Sequence, residues 1–292
     1  MLDYALLSAL AAVVRTGSFE RAAQQLHITP SAVSQRVKLL EERMGAVLVV
    51  RASPCTATPA GARLCQHAEH VALLESELPA SLPGLAQEGP RPVLRIAVNA
   101  DSLATWFVAA MADMPDCLFD LVLDDQDHSA DWLRRGEVLA AVTAGGGAVP
   151  GCDSVALGAL PYVATASPSF MQRHFPNGVT TEALARAPCL TFNAKDRLQA
   201  QWLRRAGMEG AVPTHWLPSS QAFIDAALAG IGWGMNPRPL AAAHLAAGRL
   251  VEVLPGQGLD VPLFWQRSRM PSATLSRLTK AVQRAAACVL IP

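Results

Sequence analysis

The sequence predicts an α+α/β protein: an N-terminal winged helix-turn-helix, a linker helix, then a two-lobed α/β body. Three observations carry that expectation. At 292 residues and 51% hydrophobic, the chain is long enough for about two domains and too apolar to be disordered. Its first 65 residues repeat apolar positions at helical spacing in three short runs and then turn β-branched. From Val93 onward, apolar strands alternate with amphipathic helices. The expected division is a head at 1–58, a linker helix and hinge at 59–92, and a body at 93–292. The body's lobes take about 93–160 with 268–292, and 161–267.

Charge is distributed along the same division. The 24 Lys and Arg balance the 24 Asp and Glu, yet residues 1–65 hold seven cations against four anions. A mildly basic head on a mildly acidic body points to a nucleic-acid contact at the N-terminus. The cysteines at 55, 65, 117, 152, 189 and 288 lack the close spacing of a zinc or redox motif. They read as reduced thiols of a cytoplasmic protein, with a redox pair assembled by the fold as the alternative. The apolar run at 5–14 follows Asp3 and has no basic stretch before it, unlike a signal peptide. No apolar stretch approaches the roughly 18 residues that span a bilayer, so no membrane partner is expected.

In the head, Leu6, Leu10, Val13 and Val14 share one helix face, and Gly17 ends that helix. Ser18 caps a second helix, whose Phe19, Ala22, Ala23 and Leu26 repeat at helical spacing. After a four-residue turn, Thr29 caps a third helix and Pro30 suits its first turn. On that helix, about 30–43, Val33, Val37, Leu40 and Met44 fall within one roughly 60° arc. Opposite them lie Ser31, Ser34, Gln35 and Lys38, and Arg36 is a further candidate for the DNA contact. Small hydroxyls allow close approach to a groove, Gln can bond an adenine edge, and Lys can take a guanine edge or a phosphate. A merely solvated face is the competing reading. The segment 47–57 reads as two short strands about a turn at Ser53–Pro54, a wing that places Arg51 against a phosphate or the minor groove.

The block GSFERAAQQLHITPSAVSQRVKLLEERMGAVLVVR closely resembles the DNA-binding domain of LysR-type transcriptional regulators. That resemblance implies a third helix in the major groove of a double-stranded operator, flanked by the wing. A helix from Pro59 to about Leu78 places Leu64, Val71 and Leu78 on one heptad position, with His67 and Leu74 on the second. Such a seam is short and contains a polar member; in the resembled family this segment pairs two chains. His67 and His70 have metal-compatible spacing but no third ligand nearby, so no metal is expected. Residues 78–92 form a Pro/Gly-rich hinge.

In the body, strands are expected at 93–99, 118–124, 138–144 and 162–167, then at 190–192, 215–218, 230–235 and 250–254. Helices are expected near 102–114, 129–136, 195–206, 219–229, 238–247 and 271–288. Alternation of this kind predicts parallel sheets covered on both faces, as two lobes with a crevice between them. The body thereby resembles the LysR effector domain, a two-lobed α/β effector domain similar to periplasmic binding proteins. Ligands in such sheets lie beyond the carboxyl ends of strands, at helix N-termini. That rule selects Ser102 after the first strand, Asp124, Asp125 and Asp127 after the second, and Thr143 after the third, with Ser219 and Ser220 opening a helix in the second lobe. An ordinary cap at Ser102 and a solvated acidic loop are the plainer readings. An anion-holding helix start facing carboxylates is complementary to a zwitterion with an extra positive end.

The strings AVNADSLATW, LRRGEV and FPNGVT resemble the ArgP/LysG branch of the family, whose members respond to lysine and arginine and are also described as inhibitors of chromosome initiation. The resemblance implies L-lysine or L-arginine as co-effector and no other cofactor, an exporter gene as target, and dimers that associate into tetramers. RNA polymerase is a further candidate partner. Carried over by position, Ser102 is the branch's ligand-binding residue, while Asp124 or Asp125 is expected to meet the basic side chain. A different small effector, or an architectural DNA protein without ligand control, are the alternatives. No GxSxG, HExxH or phosphate loop is present, and Gly230, Gly232 and Gly234 lie inside an expected strand, so no enzyme is expected.

Overall fold

A computed structural model describes residues 2–81, 91–124, 129–208 and 210–292 of the chain. Three helices build the head: α1 (Tyr4–Thr16), α2 (Phe19–Gln25) and α3 (Pro30–Met44). Asp3, Ser18 and Thr29 cap them, accepting from the Ala5, Arg21 and Ala32 amides respectively. Leu7, Leu10, Val13, Ala22, Val33, Val37 and Leu40 interlock in one buried cluster, as the apolar spacing dictates. Met44 departs from expectation and is exposed, because the helix ends there at Gly45. Strands β1 (Val49–Val50) and β2 (Thr56–Ala57) pair antiparallel as the wing.

Helix α4 (Pro59–Ser81) leaves the wing at a contact only glycine permits: a Cβ on Gly61 would stand 2.0 Å from the Leu48 carbonyl oxygen. Its successive residues then face different neighbours. Leu64, Cys65 and Ala68 pack on the head cluster, whereas Leu73 joins the body core. The expected hinge falls largely on residues 82–90, outside the described set.

In the body, β3 (Val93–Val98) lies parallel to β4 (Leu118–Leu123) and to β5 (Ala140–Thr143). Between β3 and β4 the chain forms α5 (Ala100–Ser102), a π-helical turn (Leu103–Phe107) and α6 (Val108–Ala112); α7 (Ser129–Arg135) precedes β5. The expected purely parallel arrangement then gives way to a mixed one. Strand β6 (Cys152–Ala166) runs antiparallel to β11 (Gly258–Ser268), to β9 (Gly234–Pro237) and to β10 (Val251–Glu252). The sheet order is β10-β6-β11-β5-β3-β4, with β9 also on β6. Long β6 and β11 each pass through both lobes, which is why an alternation of strand and helix did not yield two separate parallel sheets.

The second lobe adds α8 (Pro168–His174), α9 (Thr181–Leu184), α10 (Leu198–Arg205), α11 (Ser220–Leu228) and α12 (Arg238–Ala246). Its strands β7 (Cys189–Thr191) and β8 (Thr214–Trp216) are parallel, and α13 (Ala273–Ala287) packs back on the first lobe. The strand expected at 230–235 starts later, at Gly234, because Ala227–Ile231 form the turn that ends α11. Trp106, Phe107, Tyr162, Trp202, Trp233 and Trp265 are fully buried, so one continuous core underlies both walls of the crevice. Among the described residues, no helix is long and apolar enough to cross a membrane.

Candidate functional site

On α3 the apolar arc turns inward and the polar row outward. Ser31, Gln35 and Lys38 are exposed, while Ser34 and Arg36 are half-buried. The hydroxyl of Thr29 accepts from the Ala32 amide at 3.2 Å, and Pro30 occupies the first helical position. Both therefore fix the start of the helix whatever else they touch. Lys38 leans toward Glu42, one turn along, at 3.8 Å; with both side chains mostly in water, that pair is weak and readily exchanged for a phosphate.

Arg51 has a more confined setting. Its guanidinium lies over the Phe19 ring, 5.3 Å from the centroid, and 3.6 Å from Glu41. The same carboxylate accepts from the Leu48 and Val49 amides at 2.9 and 3.4 Å. Glu41 thus rivets the wing to α3, and Arg51 completes the rivet while still presenting an exposed edge.

The second site is a cavity of about 150 Å³ between the lobes. One wall comes from the carboxyl ends of β3 and β4: Asn99, Ala100, Asp101, Leu123 and Asp124. The other comes from the segment after β7 (Phe192, Asn193, Asp196, Leu198), from the start of α11 (Ser220, Phe223), and from β9 (Met235, Pro237). Contacts between described residues cross it. Ser220 Oγ donates to Asp101 Oδ1 at 2.6 Å, and Lys195 Nζ donates to Asp124 Oδ1 at 3.3 Å. Each carboxylate is also anchored by a ring donor: Tyr162 to Asp101 at 2.7 Å, and Trp132 to Asp124 at 2.8 Å. Asp196 accepts from the Phe192 and Leu198 amides, both at 3.0 Å, which fixes the loop opposite.

Of the residues selected from sequence, Asp124 and Ser220 line this cavity. Ser102 does not: it is fully buried and its hydroxyl has no hydrogen-bond partner among the described residues, while Asp101 takes the wall position. Successive helical residues point about 100° apart, so a one-residue difference decides which side chain meets the crevice. Thr143 is buried in another network, where Gln266 Nε2 donates to its hydroxyl at 3.1 Å and to the carbonyls of Gly145 and Gly147. Ser219 stays at the mouth of α11, its hydroxyl used as cap by the Ala222 amide. Asp125 and Asp127 lie outside the described residues. Asp101, Trp132, Tyr162 and Lys195 escaped the sequence reading, since their roles depend on contacts across 8 to 119 residues.

On α4, the expected pairing residues divide. Leu64 packs into the head and Val71 is half-buried, whereas Leu74 and Leu78 are 36% and 53% exposed. His67 is exposed; burial and the nearby His67 push the half-buried His70 below its ordinary pKa. Among the described residues no group of three His, Cys, Asp or Glu could hold a metal. All six cysteines are free, and burial pushes the thiols of Cys65 and Cys189 up to about 12, which keeps them protonated and unreactive.

A helix-turn-helix head, one long helix and a two-lobed body with a crevice are the architecture of a transcriptional regulator with a DNA-binding part and a substrate-binding part. The chain belongs to the LysR family: residues 4–62 match the bacterial regulatory helix-turn-helix protein, lysR family, and residues 87–287 match the LysR substrate binding domain. The transcriptional regulator LysG of Mycobacterium bovis is 49% identical over 286 residues, covering 98% of this chain and 94% of that protein. The crystal structure of ArgP from Mycobacterium tuberculosis superposes with a TM-score of 0.84 at 47% identity, over 99% of both chains. Full-length LysG from Corynebacterium glutamicum, solved with bound arginine, gives a TM-score of 0.74 at 38% identity over 100% of both. The chain is a DNA-binding transcriptional regulator and not an enzyme, like these named regulators.

Proposed function

We propose that this regulator senses L-arginine or L-lysine in the inter-lobe crevice and thereby controls a gene for exporting basic amino acids. The observation that carries the reading is the crevice's charge: among the described residues, the carboxylates of Asp101, Asp124 and Asp196 stand against one ammonium, that of Lys195. The space between the lobes suits a small metabolite. The amide end of α11 offers a place for an α-carboxylate, Asp101 for an α-ammonium, and Asp124 for a basic side chain. The arginine-bound relative, similar over its whole length, supports a basic amino acid as the ligand.

Ser31, Ser34, Gln35 and Lys38 read the operator in this proposal, Thr29 and Pro30 set their helix, and Arg36 and Arg51 meet phosphates. Two chains paired through Val71, Leu74 and Leu78 of α4 present two heads to a dyad site, and further body contacts make a tetramer. A sedimentation mass of a monomer would exclude that arrangement. Effector and operator communicate only through their differential affinity for two arrangements of the assembly.

Calorimetric titration tests the site. L-arginine and L-lysine should bind the full-length protein, and Asp124→Asn should weaken both by about tenfold or more, the scale of a lost charge-assisted hydrogen bond. Equal affinity for L-citrulline, the neutral isostere of arginine, would refute a site built for a cation.

A further inference from the structure

Lys195 projects from the second lobe and places its ammonium on a carboxylate of the first. The chain holds only three lysines, at 38, 195 and 280; the rest of its 24 basic side chains are arginine. One of those three stands on the acidic wall of the crevice, 3.3 Å from Asp124 Oδ1, while Trp132 holds the other oxygen of that carboxylate at 2.8 Å. Asp124 is therefore fixed to the first lobe independently of Lys195.

The lysine's own base is rigid as well. Asn193 Oδ1 accepts from the Lys195 and Asp196 amides at 2.7 and 3.2 Å, and Asp196 clasps the amides on either side of the turn. A stiff turn thus aims a flexible four-carbon stem across the crevice. The Lys195 side chain is 52% exposed against 21% for Asp124, so the cation can retreat into water while the carboxylate cannot. An arginine in its place could grip Asp124 through two parallel hydrogen bonds; an ammonium is a point charge with no such fork and is the easier group to displace.

We infer that Lys195 is a tethered competitor for the ligand: its ammonium occupies the seat at Asp124 that a ligand's basic group takes, and binding exchanges one cation for the other. The inference rests on the crevice being a site for basic amino acids and adds how its threshold is set. A cationic ligand must displace Lys195, so its affinity is held below what the acidic wall alone would give. A neutral ligand of the same shape brings no charge to displace the ammonium from Asp124, so its tail stays short of that seat, the Lys195–Asp124 pair persists, and the ligand feels no such competition. Displacement also exchanges a covalently anchored cross-crevice link for one carried by the ligand, so the closure of the two lobes comes to depend on ligand concentration.

The test is titration of full-length wild type and Lys195→Met with L-arginine, L-lysine and L-citrulline at one stated ionic strength. Methionine keeps the unbranched stem and removes the charge. The Met variant should bind L-arginine and L-lysine about twofold to fivefold tighter, the range expected for a partly exposed ion pair, with L-citrulline unchanged. Lys195→Arg should bind both no tighter than wild type. Unchanged or weaker binding of the basic amino acids to the Met variant overturns the inference, as does an equal gain for L-citrulline, which would mark a steric effect. Binding of basic amino acids by neither wild type nor the Met variant would overturn the proposed function itself, and the competitor role with it.

Discussion

Glu69 is the least comfortable acid among the described side chains. Burial pushes its carboxyl from an ordinary value of 4.5 up to about 7, against the pull of Arg95 and Arg15, and Asp120 and Glu137 push it further. Arg15 belongs to α1, Glu69 to α4, Arg95 to β3 and Asp120 to β4, so the group sits where head, linker helix and body meet. A raised acid pKa means that the folded state holds a proton the unfolded chain has released. Stability should therefore fall as pH rises from about 4.5 to about 7 and then level off, by at most roughly 3 kcal/mol. Melting temperature against pH measures this, and Glu69→Gln should flatten that slope; a slope that survives in the variant assigns it elsewhere. No sequence pattern announces Glu69, because a glutamate on a helix ordinarily faces water. The same limit applies to Asp101, which reads locally as an acid favoured by a helix start and gains its meaning only from Tyr162 and Ser220. Asp124 and Ser220 were legible because a topological rule, ligands beyond strand ends, depends on the order of elements alone.

At the scale of elements, the head was readable because everything that decides it is local: caps, apolar spacing, and a short turn before Pro30. Its function is testable at one position. Gln35→Ala should cost about 1–3 kcal/mol of specific operator binding and leave nonspecific affinity largely intact, measured by gel shift or anisotropy at fixed salt. If both affinities fell together, Gln35 would be holding the backbone and not reading bases. The body's long strands resisted reading for the opposite reason. In β6, Gly158 has φ +112° and lies so close to the chain end that a Cβ would stand 2.5 Å from the Ile291 oxygen. A glycine and Pro161 inside one 15-residue strand look like punctuation from sequence alone. Strand β11 was missed altogether. Pro262 interrupts its alternation, tolerated where β5, which pairs only with Phe264–Arg267, does not reach, and a register shift at Leu263/Phe264 reverses its pattern.

For the whole molecule, α4 is the element that touches everything. Leu64, Cys65 and Ala68 bind the head, Leu73 and Glu77 bind the body, and Leu74 and Leu78 face outward. Glu77 is the firmest of these ties: Ser272 Oγ donates to it at 2.5 Å, and the Ala273 and Thr274 amides donate at 3.1 and 2.9 Å. Burial alone would raise its pKa, but those three donors hold it below the ordinary range. The carboxylate thereby closes the N-terminus of α13, the helix that follows β11, and β11 runs through both lobes. A shift of the lobes that moves β11 would reach α4 and the head through the start of α13 and its contacts with Glu77. Glu77→Gln keeps the shape and weakens the acceptor, so effector binding and operator binding measured separately should persist. The change in operator affinity caused by saturating L-arginine should shrink severalfold, since coupling is a free energy distinct from either binding step. Loss of both binding activities together would make Glu77 a general stabiliser, and undiminished coupling would place the transmission elsewhere on α4.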